Sequence, residues 1–284
     1  MSRIAYVNGR YLPFADAKVS IEDRGYQFGD GVYEVCEVRS GRLVDERRHL
    51  ARLLRSLGEL RIRMPMSLAA LAVVLREVVA RNRISYGLVY IQVTRGVARR
   101  DHGFPPPQVK PSLVVTARAL DASRDAALAQ GIAVISAPDN RWDRVDIKTI
   151  GLLPNVLARQ AAIEQGARDA WFVNAQGSVT EGASSNAWIV TATGAVVTRA
   201  ADRSILRGVT RTVLFEAIKA QGLSIEERPF KLAEAYAARE AFATSATQIV
   251  VPVVMIDGRQ IGDGRPGPVA TALRRAYHDH AEVG

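Results

Sequence analysis

The sequence predicts a two-domain α/β (α+β) fold, and three observations carry that expectation. Strand and helix patterns mix without a steady βαβα alternation, which argues against one doubly wound sheet. The texture changes near residue 120. A length of 284 residues suits two domains of ordinary size, each able to bury a core. The expected division is a smaller N-terminal α/β domain over 1–119 and a larger C-terminal domain over 120–284 that carries Lys148.

The elements follow in order. IAYVNGRYL (4–12) alternates about Asn8-Gly9, two residues that tolerate the positive φ of a tight hairpin turn. GVYEVCEVRSGRLVD (31–45) predicts a second hairpin, turned at Ser40-Gly41. Leu50, Leu53, Leu54, Leu57 and Leu60 recur at helical spacing and predict a helix over 46–60, with His49 and Arg52 one turn apart beside the leucines. Ser67 is the expected N-cap of the next helix, LAALAVVLREVVARN. GLVYIQVTRG (87–96) and SLVVTAR (112–118) read as strands on either side of VARRDHGFPPPQVKP, a long proline-rich segment of the kind that carries function. Beyond it come a helix through DASRDAALAQ, a strand at 132–137 and a helix at 156–166 closed by Gly166. WFVNAQGSVTE, NAWIVTATGAVVT and AFATSATQIVVPVVMIDG are strand and hairpin material, and 210–222 and 268–280 are helical. GYQFGDG (25–31) matches neither a dinucleotide fingerprint nor a P-loop, and reads as tight turns leading into a strand.

Composition narrows the function classes. Hydrophobic and charged fractions of 48% and 24% are those of a globular protein. The longest apolar runs, LAALAVVL and IVVPVVMI, are too short to span a bilayer, and MSRIAYVNGR lacks a signal-peptide core, so no membrane partner and a cytoplasmic location are expected. The single cysteine, Cys36, excludes an intramolecular disulfide and a cysteine-based zinc site, and no metal site is expected. A net charge of +9 favours acidic partners. With arginines scattered and aromatics at only 6%, small anions fit better than nucleic acid.

The 38 basic residues include only five lysines. Among them Lys148, in RVDIKTIGLLPN, alone has an apolar flank that lowers the cost of a neutral, nucleophilic amine; the alternative is a stem laid along apolar surface with the ammonium in water. Gly208, Val209 and Thr210 open a helix, where free N–H groups favour a phosphate, although a plain threonine cap reads the same way. TSATQ (244–248) offers further hydroxyls beside a strand end. In TEGASSN (180–186), Glu181 is either a carboxylate held toward a cofactor or part of a solvated turn. Arg100 and His102, two apart in RRDH, either clamp a carboxylate or belong to an exposed basic loop.

Together EDRGYQFGDGVYE, YIQVTRGVARRDHGFP, RWDRVDIKT, TEGASSN, LRGVTR and TSATQIVVPV resemble the branched-chain aminotransferase-like, fold type IV family of pyridoxal phosphate enzymes, and within it most closely the bacterial D-amino acid transaminases. The motifs stand in the family's order over nearly the whole chain. The resemblance implies a two-domain fold with the cofactor, pyridoxal 5'-phosphate, between the domains. It implies that Lys148 condenses with the cofactor aldehyde and moves the substrate proton, and that Glu181 pairs with the pyridine nitrogen. Arg52, Val209, Thr210, Ser245 and Thr247 resemble the phosphate cup, and Leu206 resembles the apolar residue against the ring. Tyr33, Arg100 and His102 match a carboxylate trap in which the arginine and histidine come from the partner subunit of a homodimer. His49 matches a family histidine near the site. Asp101 stands where the family pattern allows a small neutral residue, and Ala183 and Ala246 replace hydroxyl residues.

The implied activity is transfer of the amino group of a D-amino acid to a 2-oxo acid, 2-oxoglutarate or pyruvate. The alternatives within the fold are a branched-chain L-amino acid transaminase, an R-amine transaminase and an aminodeoxychorismate lyase, which the Arg100/His102 pair disfavours. From another class, a non-catalytic basic anion-binding protein would explain the charge but not Lys148 with Glu181.

Overall fold

In the computed structural model, which describes residues 3–284, Asn8 and Gly9 take φ values of 47° and 95°. This left-handed pair turns β1 (Ile4–Val7) straight back as β2 (Arg10–Pro13). Ser40 and Gly41, at 51° and 76°, do the same between β3 (Gly31–Arg39) and β4 (Arg42–Leu43). Ahead of β3 the structure departs from the expected tight turns. Asp23 accepts a hydrogen bond from the Gly25 amide and starts a one-turn helix, α1 (Arg24–Phe28), which Gly29 ends at φ 68°.

Two helices follow, α2 (Glu46–Glu59) and α3 (Leu68–Arg81), the second capped by Ser67 as expected. The strands β5 (Tyr86–Thr94) and β6 (Ser112–Ala119) complete a six-stranded antiparallel sheet in the order β2-β1-β6-β5-β3-β4. Leu50, Leu53 and Leu57 of α2 and Leu71, Leu75 and Val78 of α3 bury against Val32, Cys36, Val89, Ile91 and Val93 of the sheet. Leu54 is exposed, because the leucines span a wider arc than the helix buries.

The chain falls into two units: the described residues up to Asp121 with Ile147–Gly151 and Glu282–Gly284, and Ala122–Asp146 with Leu152–Ala281. The expected division after residue 119 put Lys148 in the C-terminal domain; its segment instead packs with the first unit. Thr149 bridges Val32, Ile147 joins the first core, the Tyr33 amide donates to the Lys148 carbonyl at 3.0 Å, and the Ile150 amide donates to the Gly31 carbonyl at 3.1 Å. The stretch thus lies along β3 as a short added strand.

The second unit runs α4 (Ala122–Ala129), β7 (Ile132–Pro138), α5 (Leu153–Glu164), β8 (Asp169–Val173), β9 (Ser178–Gly182), β10 (Asn186–Val190) and β11 (Val196–Thr198). It continues through α6 (Val209–Ala220), β12 (Ile225–Glu227), β13 (Phe230–Lys231), α7 (Leu232–Tyr236), β14 (Glu240–Ser245), β15 (Ile249–Ile256), β16 (Arg259–Gln260) and α8 (Pro268–His280). Its mixed sheet has the order β12-β11-β10-β14-β15-β7-β8-β9-β13, with β16 on β15. Trp171, Trp188, Phe172, Phe230 and Phe242 are fully buried. α5 begins at Leu153 rather than 156, since Pro154 in its first turn needs no amide partner there. Among the described residues no helix is long and apolar enough to cross a membrane.

Candidate active site

Within the first unit, Lys148 is half-buried and its Nζ lies 4.2 Å from the centroid of the Tyr33 ring, a cation–π contact. Tyr33 in turn stacks on Tyr90 with centroids 5.5 Å apart, because antiparallel pairing sets Tyr90 opposite Val35, two residues along the same face. The Tyr90 hydroxyl donates to Gln92 Oε1 at 2.7 Å, and burial, followed by Tyr33, pushes its pKa up to about 12.

One residue along β3 the backbone turns Glu34 to the opposite face, into the core. Burial would raise its carboxyl pKa, but a forked pair of hydrogen bonds from Arg52, at 2.7 and 2.9 Å, and His49 Nδ1 at 2.8 Å outweigh it and hold the group well below the usual carboxylate range. Arg52 and His49 are therefore fixed as one turn of α2 clamped to β3. Glu34 closes the quoted motif EDRGYQFGDGVYE, but only the pairing of β3 with α2 gives it a role.

Arg100 and His102 are brought together, but on a residue the sequence reading did not single out. The Arg100 guanidinium lies 4.6 Å over the Phe28 ring, and the His102 ring centre is 5.5 Å from it. Both side chains are exposed. Arg24 secures the loop by donating to the Asp101 carbonyl at 2.5 Å, and the Asp101 carboxylate accepts from the Gly103 amide at 2.8 Å.

Within the second unit, Glu181 lies buried near the end of β9. Its Oε1 accepts from Arg141 Nη1 at 2.5 Å, and its Oε2 accepts from Asn186 Nδ2 at 3.0 Å and from the Leu206 amide at 3.1 Å. Arg141 is itself held by Asp139 at 2.9 and 2.8 Å and lies 4.4 Å over Phe172. Burial disfavours the Arg141 charge, yet Asp139 and Glu181 outweigh it and raise its pKa. Asn186 also donates to the Leu206 carbonyl at 2.9 Å, so one amide fixes both Glu181 and the Leu206 backbone. Arg141 and Asn186 sit inside the quoted motifs RWDRVDIKT and TEGASSN, where only the pairing across strands gives them a role.

Val209 and Thr210 open α6 and are buried, and the cap, Gly208, supplies no side-chain hydrogen bond to the first amides. Thr210 Oγ1 is a buried polar atom with no partner. A Cβ at Gly208 would collide with the Asn186 amide, so backbone and amide approach here as only glycine allows. Ser245 Oγ and Thr247 Oγ1 lie 3.2 Å apart in the turn between β14 and β15.

This donor set fits pyridoxal phosphate. An uncapped helix N-terminus with an orphan hydroxyl suits a phosphate, a buried carboxylate suits a protonated pyridine nitrogen, and a lysine amine suits an aldehyde.

The family model for Amino-transferase class IV matches residues 31–256. The D-alanine aminotransferase of Staphylococcus haemolyticus is 39% identical over 278 residues, 98% of this chain and 97% of that protein. That of Listeria monocytogenes serotype 4b (strain F2365) is 39% identical over 272 residues, 95% of this chain and 93% of the relative. Among solved structures, the T.th. branched-chain amino acid aminotransferase with pyridoxamine 5'-phosphate aligns with a TM-score of 0.89 at 26% identity, covering 98% of this chain and 94% of that one.

Proposed function

The chain belongs to the class IV aminotransferases, and from that premise we propose that it moves the amino group of a D-amino acid to a 2-oxo acid, 2-oxoglutarate or pyruvate, using pyridoxal 5'-phosphate. The observation that carries the D-amino acid reading is 39% identity to D-alanine aminotransferases over nearly the full length. Bound pyridoxal phosphate supplies an aldehyde that takes up the amino group and a ring that accepts the electron pair left when the α-proton departs.

The chain's own residues do the rest. Lys148 Nζ would hold the cofactor through its aldehyde, and its amine would take the substrate α-proton and later return one. Glu181 keeps the proton on the ring nitrogen, and its three hydrogen bonds prevent the carboxylate from turning away. Leu206, whose backbone is tied to the same glutamate, packs against the ring. Arg52, Val209, Thr210, Ser245 and Thr247 bind the phosphate; the orphan Thr210 hydroxyl supports this assignment most directly. Tyr33 binds the substrate carboxylate with Arg100 of the partner subunit and His102 of the partner subunit. Holding the carboxylate on one side dictates which hydrogen faces Lys148, and so sets chirality.

A homodimer is part of this reading, as is cytoplasmic residence. Membership in an enzyme family sets aside the non-catalytic anion binder. The branched-chain L-amino acid reading is favoured by one observation, the fold match at a TM-score of 0.89. Turnover of D-alanine against L-alanine and L-leucine with 2-oxoglutarate decides between them: the D-donor is expected to dominate, and turnover of L-donors alone would overturn the proposal. Borohydride reduction followed by peptide mass analysis is expected to find the cofactor on Lys148. Cofactor fixed on any of the other four lysines would remove Lys148 from its role.

A further inference from the structure

Arg274 lies on α8, outside every residue assigned above, with its side chain mostly buried. Its Nη1 donates to two backbone carbonyls, that of Gln248 at 2.8 Å and that of Val250 at 2.5 Å. Its Nη2 donates to the Asp125 carbonyl at 3.3 Å, which ties the guanidinium to α4. The residue between the two bridged carbonyls, Ile249, has a φ of 62°. A β-branched side chain is strained in that left-handed region, where glycine is the usual occupant.

The strain falls at the end of the turn that carries Ser245 and Thr247. Ser245 pairs with Ile249 across the hairpin, the Gln248 amide donates to the Ser245 carbonyl at 3.2 Å, and the two hydroxyls meet at 3.2 Å. On the edge away from β14 this end has no strand partner among the described residues, since the β7 ladder on β15 begins only at Val253. A conformation that its own residue disfavours is thus spanned by one cation bonded to the carbonyls of the residues on either side, Gln248 and Val250.

We propose that Arg274 is a positioning residue for the cofactor phosphate: by bridging the Gln248 and Val250 carbonyls it holds Ile249 in the left-handed conformation that keeps the Ser245 and Thr247 hydroxyls paired. The inference rests on the reading that Ser245 and Thr247 bind the phosphate. Nothing in it requires Arg274 to touch the cofactor.

The test uses the glycine that the backbone calls for. Pyridoxal phosphate affinity of the apoenzyme and the phosphorus resonance of the bound phosphate are measured for Arg274→Ala, Arg274→Lys, Ile249→Gly and the Arg274→Ala/Ile249→Gly double variant. Apoenzyme melting temperatures are recorded alongside. Arg274→Ala is expected to weaken binding about ten-fold and shift the resonance, as loss of charge-assisted hydrogen bonds implies. Arg274→Lys, which cannot fork, falls between it and the parent. Ile249→Gly in the Arg274→Ala background restores most of the affinity, because glycine holds the turn without the clamp. Unchanged affinity in Arg274→Ala, or weakened affinity that glycine does not restore, overturns the inference; should Arg274→Ala not fold, parental affinity in Arg274→Lys does the same. A Ser245→Ala/Thr247→Ala variant separates the premise: if it binds the cofactor as the parent does, the phosphate reading of this turn is what fails.

Discussion

Three carboxylates give the molecule opposing responses to acid. At Glu34 burial favours the neutral form, but Arg52 and His49 win and the folded pKa falls below its ordinary value of 4.5. At Asp139 burial is likewise outweighed by Arg141 and Thr180. Both groups therefore contribute stability that is complete above the ordinary carboxylate range and is lost as pH falls toward the depressed folded values. Asp169 runs the other way, because burial outweighs Arg159, the Ala170 amide and Ser185 and raises its pKa. Its contribution is complete below its ordinary value and is lost as pH rises through the raised one. Melting temperatures between about pH 8 and about pH 3 should thus fall on the acid side. Glu34→Gln should melt lower at neutral pH, by about 3–5 kcal/mol of stability for a broken buried pair, with a shallower acid slope. Asp169→Asn should match or exceed the parent near neutrality and show no gain in acid. An acid slope unaltered in Glu34→Gln would mean that the Arg52–His49 clamp is not what depresses this group. Sequence alone singled out Lys148 as a candidate because lysine is scarce in this chain, and Glu181 as one through its motif. It could not expose Glu34 or Arg141, whose roles exist only once β3 faces α2 and Asp139 and Arg141 stand beside β9.

Elements whose cause is local were legible, and those whose cause is a partner were not. Asn8-Gly9 and Ser40-Gly41 dictate their hairpins by positive φ, the leucines dictate α2, and Ser67 caps α3, so each follows from a few adjacent residues. α1 escaped the pattern because one turn is too short for periodicity and depends on the Asp23 cap and Gly29. The 147–151 segment escaped because its hydrogen bonds go to β3, far away in sequence. Two substitutions separate these scales. Ser67→Ala removes one capping bond and should cost about 1 kcal/mol with turnover unchanged. Gly208→Ala has an ordinary backbone φ of −61°, so its damage is steric: the new methyl meets the Asn186 amide that holds both Glu181 and Leu206. It should cost about 1–3 kcal/mol through overpacking and also weaken cofactor binding, which Ser67→Ala should not. Equal cofactor affinity in the two variants, by titration of the apoenzymes, would detach Asn186 from the site.

At the scale of the whole molecule, α5 is packed inside out. Its buried residues are the small Ala158 and Ala162, whereas Leu153, Val156, Leu157 and Ile163 are 68%, 58%, 60% and 55% exposed. A stripe of large apolar side chains turned to solvent is what a surface covered by another chain looks like. The helix begins only a few residues after Lys148. Replacing Leu153 and Leu157 with aspartate touches no core and should give folded monomers by sedimentation. These should keep cofactor that borohydride fixes on Lys148 while losing D-amino acid turnover, since Arg100 and His102 would have no partner site to enter. Mixing subunits tests the sharing itself. Lys148→Ala and Arg100→Ala proteins should each be inactive, whereas a hybrid dimer of the two should have one site with both faults and one with neither. Unfolding and refolding them together should then restore roughly a quarter of parental activity by statistical pairing in a twofold dimer. The same mixture built on the aspartate-substituted α5 should restore none. A mixture that stays silent on the native α5 would mean that each chain closes its own carboxylate trap.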